Sequence, residues 1–220
     1  MNDFDTILAE AGMPVSRRIL DAAYETSASY LGRIWSDYRD VPVQDHVSAI
    51  LAAADPWIPA RVGPALMAAL VDAYASPALL VPPAVDHAAR AALETLAGRG
   101  YTLVVVSNTM RTPGATLRKL LERYGLLSFF AHTTFSDEVG VRKPAPEIFA
   151  LALRAVGGDA ATAVHVGDDA VLDVEGARAA GMRVIQVRSV PGRAPASQTA
   201  DAVIPSLGAL PDAVARLDAG

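Results

Sequence analysis

The sequence predicts an α/β protein: a parallel sheet carried by residues 82–220, preceded by an all-helical region over residues 1–81. Three observations predict this. From residue 84 onward, apolar runs of four or so residues alternate with helical patterns, the order expected of parallel strands joined by crossover helices. The first 80 residues show helical periodicity alone. Between the two patterns stand Pro77, Pro82 and Pro83, which place a domain boundary near Val81.

The elements follow in order. Phe4, Ile7, Leu8 and Ala11 share one face of a first helix that Asn2 or Asp3 caps and Gly12 ends. Pro14 and Ser16 open a second, whose apolar face carries Ile19, Leu20, Ala23, Leu31, Ile34 and Trp35. Further helices are expected over 43–54 and 59–74. The sheet region opens with a helix over 84–97, then a strand over 103–106 that ends in Ser107, Asn108 and Thr109. A helix over 113–124, a short strand over 133–135 and a loop carrying Lys143 come next, and Pro146 starts another helix. A strand over 163–166 leaves through Gly167. Val171, Val174, Ala177 and Ala180 then recur at helical spacing until Gly181, and residues 184–187 return to the sheet. A loop rich in Pro, Gly and Ser over 188–197, a strand over 202–204 and a helix over 207–217 complete the chain.

Composition excludes several roles. A net charge of −5 without a basic run disfavours a nucleic-acid surface and anionic membranes. No apolar run approaches the ~20 residues that span a bilayer. There is no cysteine and no visible signal peptide, which fits a cytoplasmic protein; the expected state, a monomer or homodimer, is not read from composition. The histidines His46, His87, His132 and His165 are too scattered for a zinc site, and His165, alternating with Val164 and Val166, reads as a strand residue.

Three places carry chemistry. Asp168, Asp169 and Asp173 follow a strand, where open α/β sheets bind ligands. Adjacent acids repel, and a hard cation such as Mg²⁺ relieves them; equally, Asp169 can cap the helix and Asp173 can be solvated on its outer face. The hydroxyl and amide of Ser107 and Asn108 can grip a phosphate oxygen or form an ordinary strand-to-helix turn. Lys143 is one of two lysines among 19 basic residues in a chain that otherwise uses arginine, and prolines follow it closely.

Together, VVVSNT at residues 104–109, GVRKPAPEIF at 140–149 and HVGDDAVLDVEGARAAGM at 165–182 resemble the second, third and fourth motifs of the haloacid dehalogenase-like hydrolase superfamily, in order. The resemblance covers about residues 83–204 and implies a Rossmann-like three-layer core, with residues 1–81 as an inserted helical cap. It also implies a Mg²⁺-dependent phosphatase of a small phosphorylated metabolite. Ser107 and Asn108 would bind the phosphoryl group and Lys143 would neutralise charge there. Asp168 would hold Mg²⁺, with Asp173 as second ligand or as a residue positioning it, and Asp169 the less close match. Phosphoryl transfer spreads negative charge over oxygens, so a cation, a lysine and fixed donors suit it.

That family also uses a buried central strand ending in an aspartate nucleophile, with a second aspartate two residues on. Asp3 and Asp5 mimic the lettering, but two residues cannot make the strand before them, and the apolar face of Phe4, Ile7 and Leu8 explains the segment as helix. The expectation is a chain truncated at its amino end and impaired, with the central strand absent. The alternatives are a metal-free haloacid dehalogenase and a non-catalytic phosphate-binding remnant.

Overall fold

The structure, a computed structural model, describes residues 3–188 and 197–219; most of the loop read over 188–197 lies outside them. In chain order the helices are α1 (Phe4–Glu10), α2 (Arg17–Ser36), α3 (Val43–Ala54), α4 (Pro64–Ala75), α5 (Pro77–Leu80), α6 (Ala89–Gly98), α7 (Gly114–Arg123), α8 (Ser136–Val139), α9 (Pro146–Ala155), α10 (Gly176–Ala179) and α11 (Leu210–Asp218). The strands are β1 (Leu103–Ser107), β2 (Phe130–Phe135), β3 (Val164–Gly167), β4 (Arg183–Val187) and β5 (Ala202–Ile204).

β2 begins at Phe130 rather than at 133, and the last helix at Leu210 rather than at 207, after a 3-10 turn over 207–209; three further segments differ for local reasons. The helix over 59–74 is broken, because Gly63 is extended and Pro64, which lacks an N–H, restarts the helix at its first position. The helix over 84–97 begins at Ala89, since the Asp86 carboxylate accepts the Ala88 N–H and holds a turn. Residues 170–175 form a wide π-type turn before α10, rather than one regular helix.

The chain divides into two compact units. One comprises Met1–Pro83, Thr109–Leu120 and Ser136–Gly140. Phe4, Leu8, Leu20, Val47, Ile50, Leu51 and Leu70 form its core, all fully buried or nearly so. Each is worth about 1.5–3 kcal/mol relative to exposure. Beside this core lies a polar knot that the sequence did not announce. The buried Asp40 carboxylate accepts hydrogen bonds from Trp35 Nε1 at 3.0 Å, the Val41 N–H at 3.0 Å and Ser136 Oγ at 2.5 Å. Ser136 Oγ in turn accepts the Thr109 N–H at 2.8 Å. His46 Nε2 stands 3.9 Å from Asp40, beyond hydrogen-bond reach.

The other unit comprises Ala84–Asn108, Leu121–Phe135 and Val141–Gly220. Its strands are all parallel, as crossover helices require. On β4, Val184 packs with Ile148, Phe149, Val174 and Ala177 from α9 to α10, while Ile185 and Val187 pack with Leu96, Leu210 and Val214 from α6 and α11. Two-residue alternation thus covers both faces with helices and gives three layers.

The sheet is divided. β1 bonds β2, and β3–β4–β5 form a second set; among the described residues no ladder joins β1 to β3. Every residue of β1 is only half-buried, whereas four of the five in β4 are buried. The reason is a slot of about 380 Å³, lined by Val104 and Val106 from β1, Val164 and Val166 from β3, and Phe149 and Leu153 from α9. The absent central strand expected from the sequence corresponds to this slot, and residues 4–10 are helical.

Burial pushes the Asp40 carboxyl up, and His46, Ser136, Trp35 and the Val41 amide together more than offset it, holding it below the ordinary 3.8. A depressed folded value means that its stabilisation is present above pH 3.8 and is lost as pH falls through that lower value. Asp40→Asn is expected to cost about 2–4 kcal/mol at pH 7. In urea titrations followed by tryptophan fluorescence, the gap from wild type should narrow steadily below pH about 4.

Candidate active site

β1 and β3 deliver their carboxyl ends to one hydrogen-bonded array. Asn108, just past β1, clasps the main chain of Lys143: its Oδ1 accepts the Lys143 N–H at 2.7 Å and its Nδ2 donates to the Lys143 carbonyl at 2.9 Å. Lys143 Nζ donates to Asp173 Oδ1 at 2.5 Å. The same oxygen lies 2.9 Å from His165 Nε2, and Asp173 Oδ2 accepts the N–H groups of Asp168 at 3.1 Å and Asp169 at 3.0 Å. Lys143, Asn108, Asp173 and Asp168 therefore form one connected set.

Asp173 is only 4% exposed, which overturns the reading of a solvated outer-face carboxylate. The wide turn at 170–175 directs it back onto the exit of β3. A carboxylate has about four acceptor positions, and all four are used. Burial pushes its carboxyl up, but the His165 hydrogen bond and the Lys143 charge outweigh this and hold it well below the usual carboxylate range. Gly167 permits the arrangement, because a Cβ there would fall on the Asp173 carboxyl. Gly176 likewise admits the backbone of Pro144, whose Cα and carbonyl oxygen would stand 2.9 Å from a Cβ.

The remaining expected residues have distinct places. Asp169 Oδ1 accepts the N–H groups of Val171 and Leu172 at 2.9 and 2.8 Å, the capping role. Asp168 is exposed at the end of β3. Among the described residues the Ser107 hydroxyl, half-buried at the end of β1, makes a 3.4 Å contact with the Asn108 carbonyl, too long for a strong O–H···O bond.

A family model described as haloacid dehalogenase-like hydrolase matches residues 5–181. The chain belongs to this family. A phosphoglycolate phosphatase of Cupriavidus necator is 41% identical over 124 residues, covering 55% of this chain and 52% of that protein. A ribulose-1,5-bisphosphate 5-phosphatase of Halopiger xanaduensis is 35% identical over 162 residues, covering 70% and 65%. The matches thus span about half to two thirds of those relatives' length. Among solved structures, a 2-haloacid dehalogenase from Pseudomonas syringae superposes with a TM-score of 0.66 at 27% identity, over 98% of this chain and 88% of that one.

For this haloacid dehalogenase-like chain, the donor set can be weighed against Mg²⁺, which takes hard oxygen ligands, commonly one or two carboxylates together with substrate phosphate and water. Asp168 suits that role as an exposed carboxylate at the sheet edge. Asp173 could ligate only by giving up a bond to Lys143, His165 or the loop. No group of three or more His, Cys, Asp or Glu converges among the described residues. The residue that the sequence reading passed over is His165. It sits in β3 as expected, yet its ring packs edge-on to Phe149 at 5.0 Å and reaches Asp173. The signal was present in the alternation that sets His165 on the face opposite Val164 and Val166.

Asp173→Ala would leave the Lys143 ammonium without its counter-charge and His165 Nε2 without its hydrogen-bond partner, at an expected cost of about 3–5 kcal/mol. Gly167→Ala alone should cost about 1–3 kcal/mol by overpacking. In the Asp173→Ala background the same glycine change should cost less but not vanish, because the carboxyl is gone while the Cβ at position 173, 2.5 Å from the added methyl, remains. Urea midpoints for the four proteins of this cycle check it.

Proposed function

We propose that this chain is a Mg²⁺-dependent phosphatase of small phosphorylated metabolites, cytoplasmic, a monomer or homodimer with neither nucleic acid nor membrane as partner, and impaired in turnover in this form. The observation that carries the reading is the connected set of Asn108, Lys143, Asp173 and Asp168 at the carboxyl ends of two parallel strands. It supplies fixed positive charge and a carboxylate where ligands of such sheets bind.

In this reading Ser107 donates its hydroxyl to a phosphoryl oxygen. Asn108 holds the Lys143 main chain in place, and the Lys143 ammonium offsets anionic charge. Asp173 acts as a positioning residue that orients Lys143 and anchors the Asp168 amide. Asp168 would hold Mg²⁺, which when bound would neutralise charge on the phosphoryl oxygens. Impairment follows from the slot: among the described residues no strand, and so no aspartate at a strand end, stands between Ser107 and Gly167, and Asp3 directly precedes α1 in the other unit.

Both curated relatives bear the names of phosphatases, which favours this reading. The solved dehalogenase keeps metal-free halide release as a second reading. The exposed Asp168 carboxylate favours the first, because a cation is what it can hold.

Titration calorimetry with inorganic phosphate should give binding that requires Mg²⁺ and weakens at least about tenfold in Lys143→Ala and in Asp168→Ala. Any Mg²⁺-dependent turnover of phosphomonoesters should fall about 100-fold or more in the same variants, since such groups contribute about 3 kcal/mol. Metal-independent halide release from 2-chloropropionate would instead favour the dehalogenase. Phosphate binding without turnover of any phosphomonoester would leave a binding protein.

A further inference from the structure

Gln186 is fully buried in β4, a strand whose other buried residues are Val184, Ile185 and Val187. Val184, two positions before it on the same face, packs against Ile148, Phe149, Val174 and Ala177, and an apolar residue at 186 would extend that contact. A buried carboxamide is unfavourable unless its ends are bonded. Here both are: Oε1 accepts the Ser197 N–H at 2.7 Å, and Nε2 donates to the Asp168 carbonyl at 3.3 Å. The Ser197 amide can only donate, so it fixes which end of the carboxamide faces Asp168.

The bond to Asp168 completes a frame around that residue. The N–H groups of Asp168 and Asp169 both donate to Asp173 Oδ2, at 3.1 and 3.0 Å. The peptide unit before the Asp168 Cα is thus held by its N–H, and the unit after it by its N–H and, through Gln186, by its carbonyl. A residue has only two soft backbone dihedrals, so fixing both flanking peptide planes fixes the direction of its Cα–Cβ bond. The register brings the parts together, because Gln186 lies opposite Gly167, immediately before Asp168.

We propose that Gln186 is a positioning residue that aims the Asp168 carboxylate at its cation. This rests on the reading of Asp168 as the carboxylate that would hold Mg²⁺. Mg²⁺ demands near-ideal octahedral geometry, so a carboxylate whose stem swings must be ordered on binding and loses affinity. Asp173 holds the 168–169 peptide by its N–H alone and leaves it able to tilt about that bond; the Gln186 bond removes the tilt. At 3.3 Å this is a long N–H···O bond, so its removal should weaken cation binding by a modest factor rather than abolish it.

Amide NMR of the isotope-labelled chain tests this, with Mg²⁺ alone as the probe. Gln186→Met roughly conserves volume and removes both side-chain bonds. The Mg²⁺ Kd, read from shifts at residues 167–169, should rise about three- to tenfold, and exchange of the Asp168 and Asp169 amides without Mg²⁺ should quicken at least about threefold. Ile185→Val trims the same strand on its opposite face, against Leu96 and Leu210, and should leave both readouts at wild-type values. Equal changes in the two variants would mean a merely structural role and overturn the proposal. So would an unchanged Kd, or a raised Kd with unchanged exchange, in Gln186→Met. Wild type supplies a measurement that does not depend on the variant's folding: the Gln186 side-chain NH₂ signals should shift with the same Mg²⁺ midpoint as the Asp168 amide, and signals indifferent to Mg²⁺ would also overturn it. No response at residues 167–169 in wild type, or wild-type affinity in Asp168→Ala, would sink the metal reading and this proposal with it. Where wild type responds and Gln186→Met responds equally, the metal reading stands and this proposal alone falls.

Discussion

One carboxylate organises the sheet-bearing unit. Asp173 takes four hydrogen bonds from groups that three different chain segments deliver: Lys143 from the loop before α9, His165 from β3, and the two amides that follow β3. A buried carboxylate carries a desolvation cost of several kcal/mol, and only such saturation offsets it. The same saturation dictates small neighbours. Gly167 has no side chain because the Asp173 carboxyl fills the space where one would go, and the rest of the site inherits its placement from that contact.

The slot shows the opposite condition. Where Asp173 has every partner it can use, β1 and β3 each lack a second strand neighbour among the described residues. Their valines, Val104, Val106, Val164 and Val166, suit a central parallel strand, which is buried on both faces, yet each remains partly open. The polar site and the apolar slot thus share the same two strands.

How much of this was legible follows from the range of each signal. Strand and helix identity was legible because it rests on local periodicity: β1, β3, β4 and β5 were placed to within one residue at each end. The gap was legible because the segment holding Asp3 and Asp5 carries the apolar face of a helix, Phe4, Ile7 and Leu8, rather than a strand. Tertiary partners were not. From the sequence Asp173 reads equally as a metal-site acid and as a solvated one on the outer helix face, and only the wide turn at 170–175, which brings it in, removes the second reading. Asn108 looked like a ligand donor, and its commitment to the Lys143 main chain depends on residues 35 positions apart. Nothing near Asp40 in the sequence signals Ser136, 96 positions away. Gly63 and Pro64 were visible, but helical periodicity was read across them.

The division of the chain has a consequence for its modularity. The helical unit takes in Thr109–Leu120 and Ser136–Gly140, so the chain changes unit after residues 83, 108, 120, 135 and 140. Asn108 and Thr109 share a peptide bond, yet the first serves Lys143 in one unit and the second serves Ser136 in the other. A fragment ending at residue 83 would keep its apolar core but strand a buried carboxylate, since Asp40 would lose the Ser136 hydroxyl. The helical unit is therefore not a cassette bounded by a single linker. An exchange of that unit between relatives would have to carry three separated stretches of sequence together, which ties its variation to that of the loops following β1 and β2.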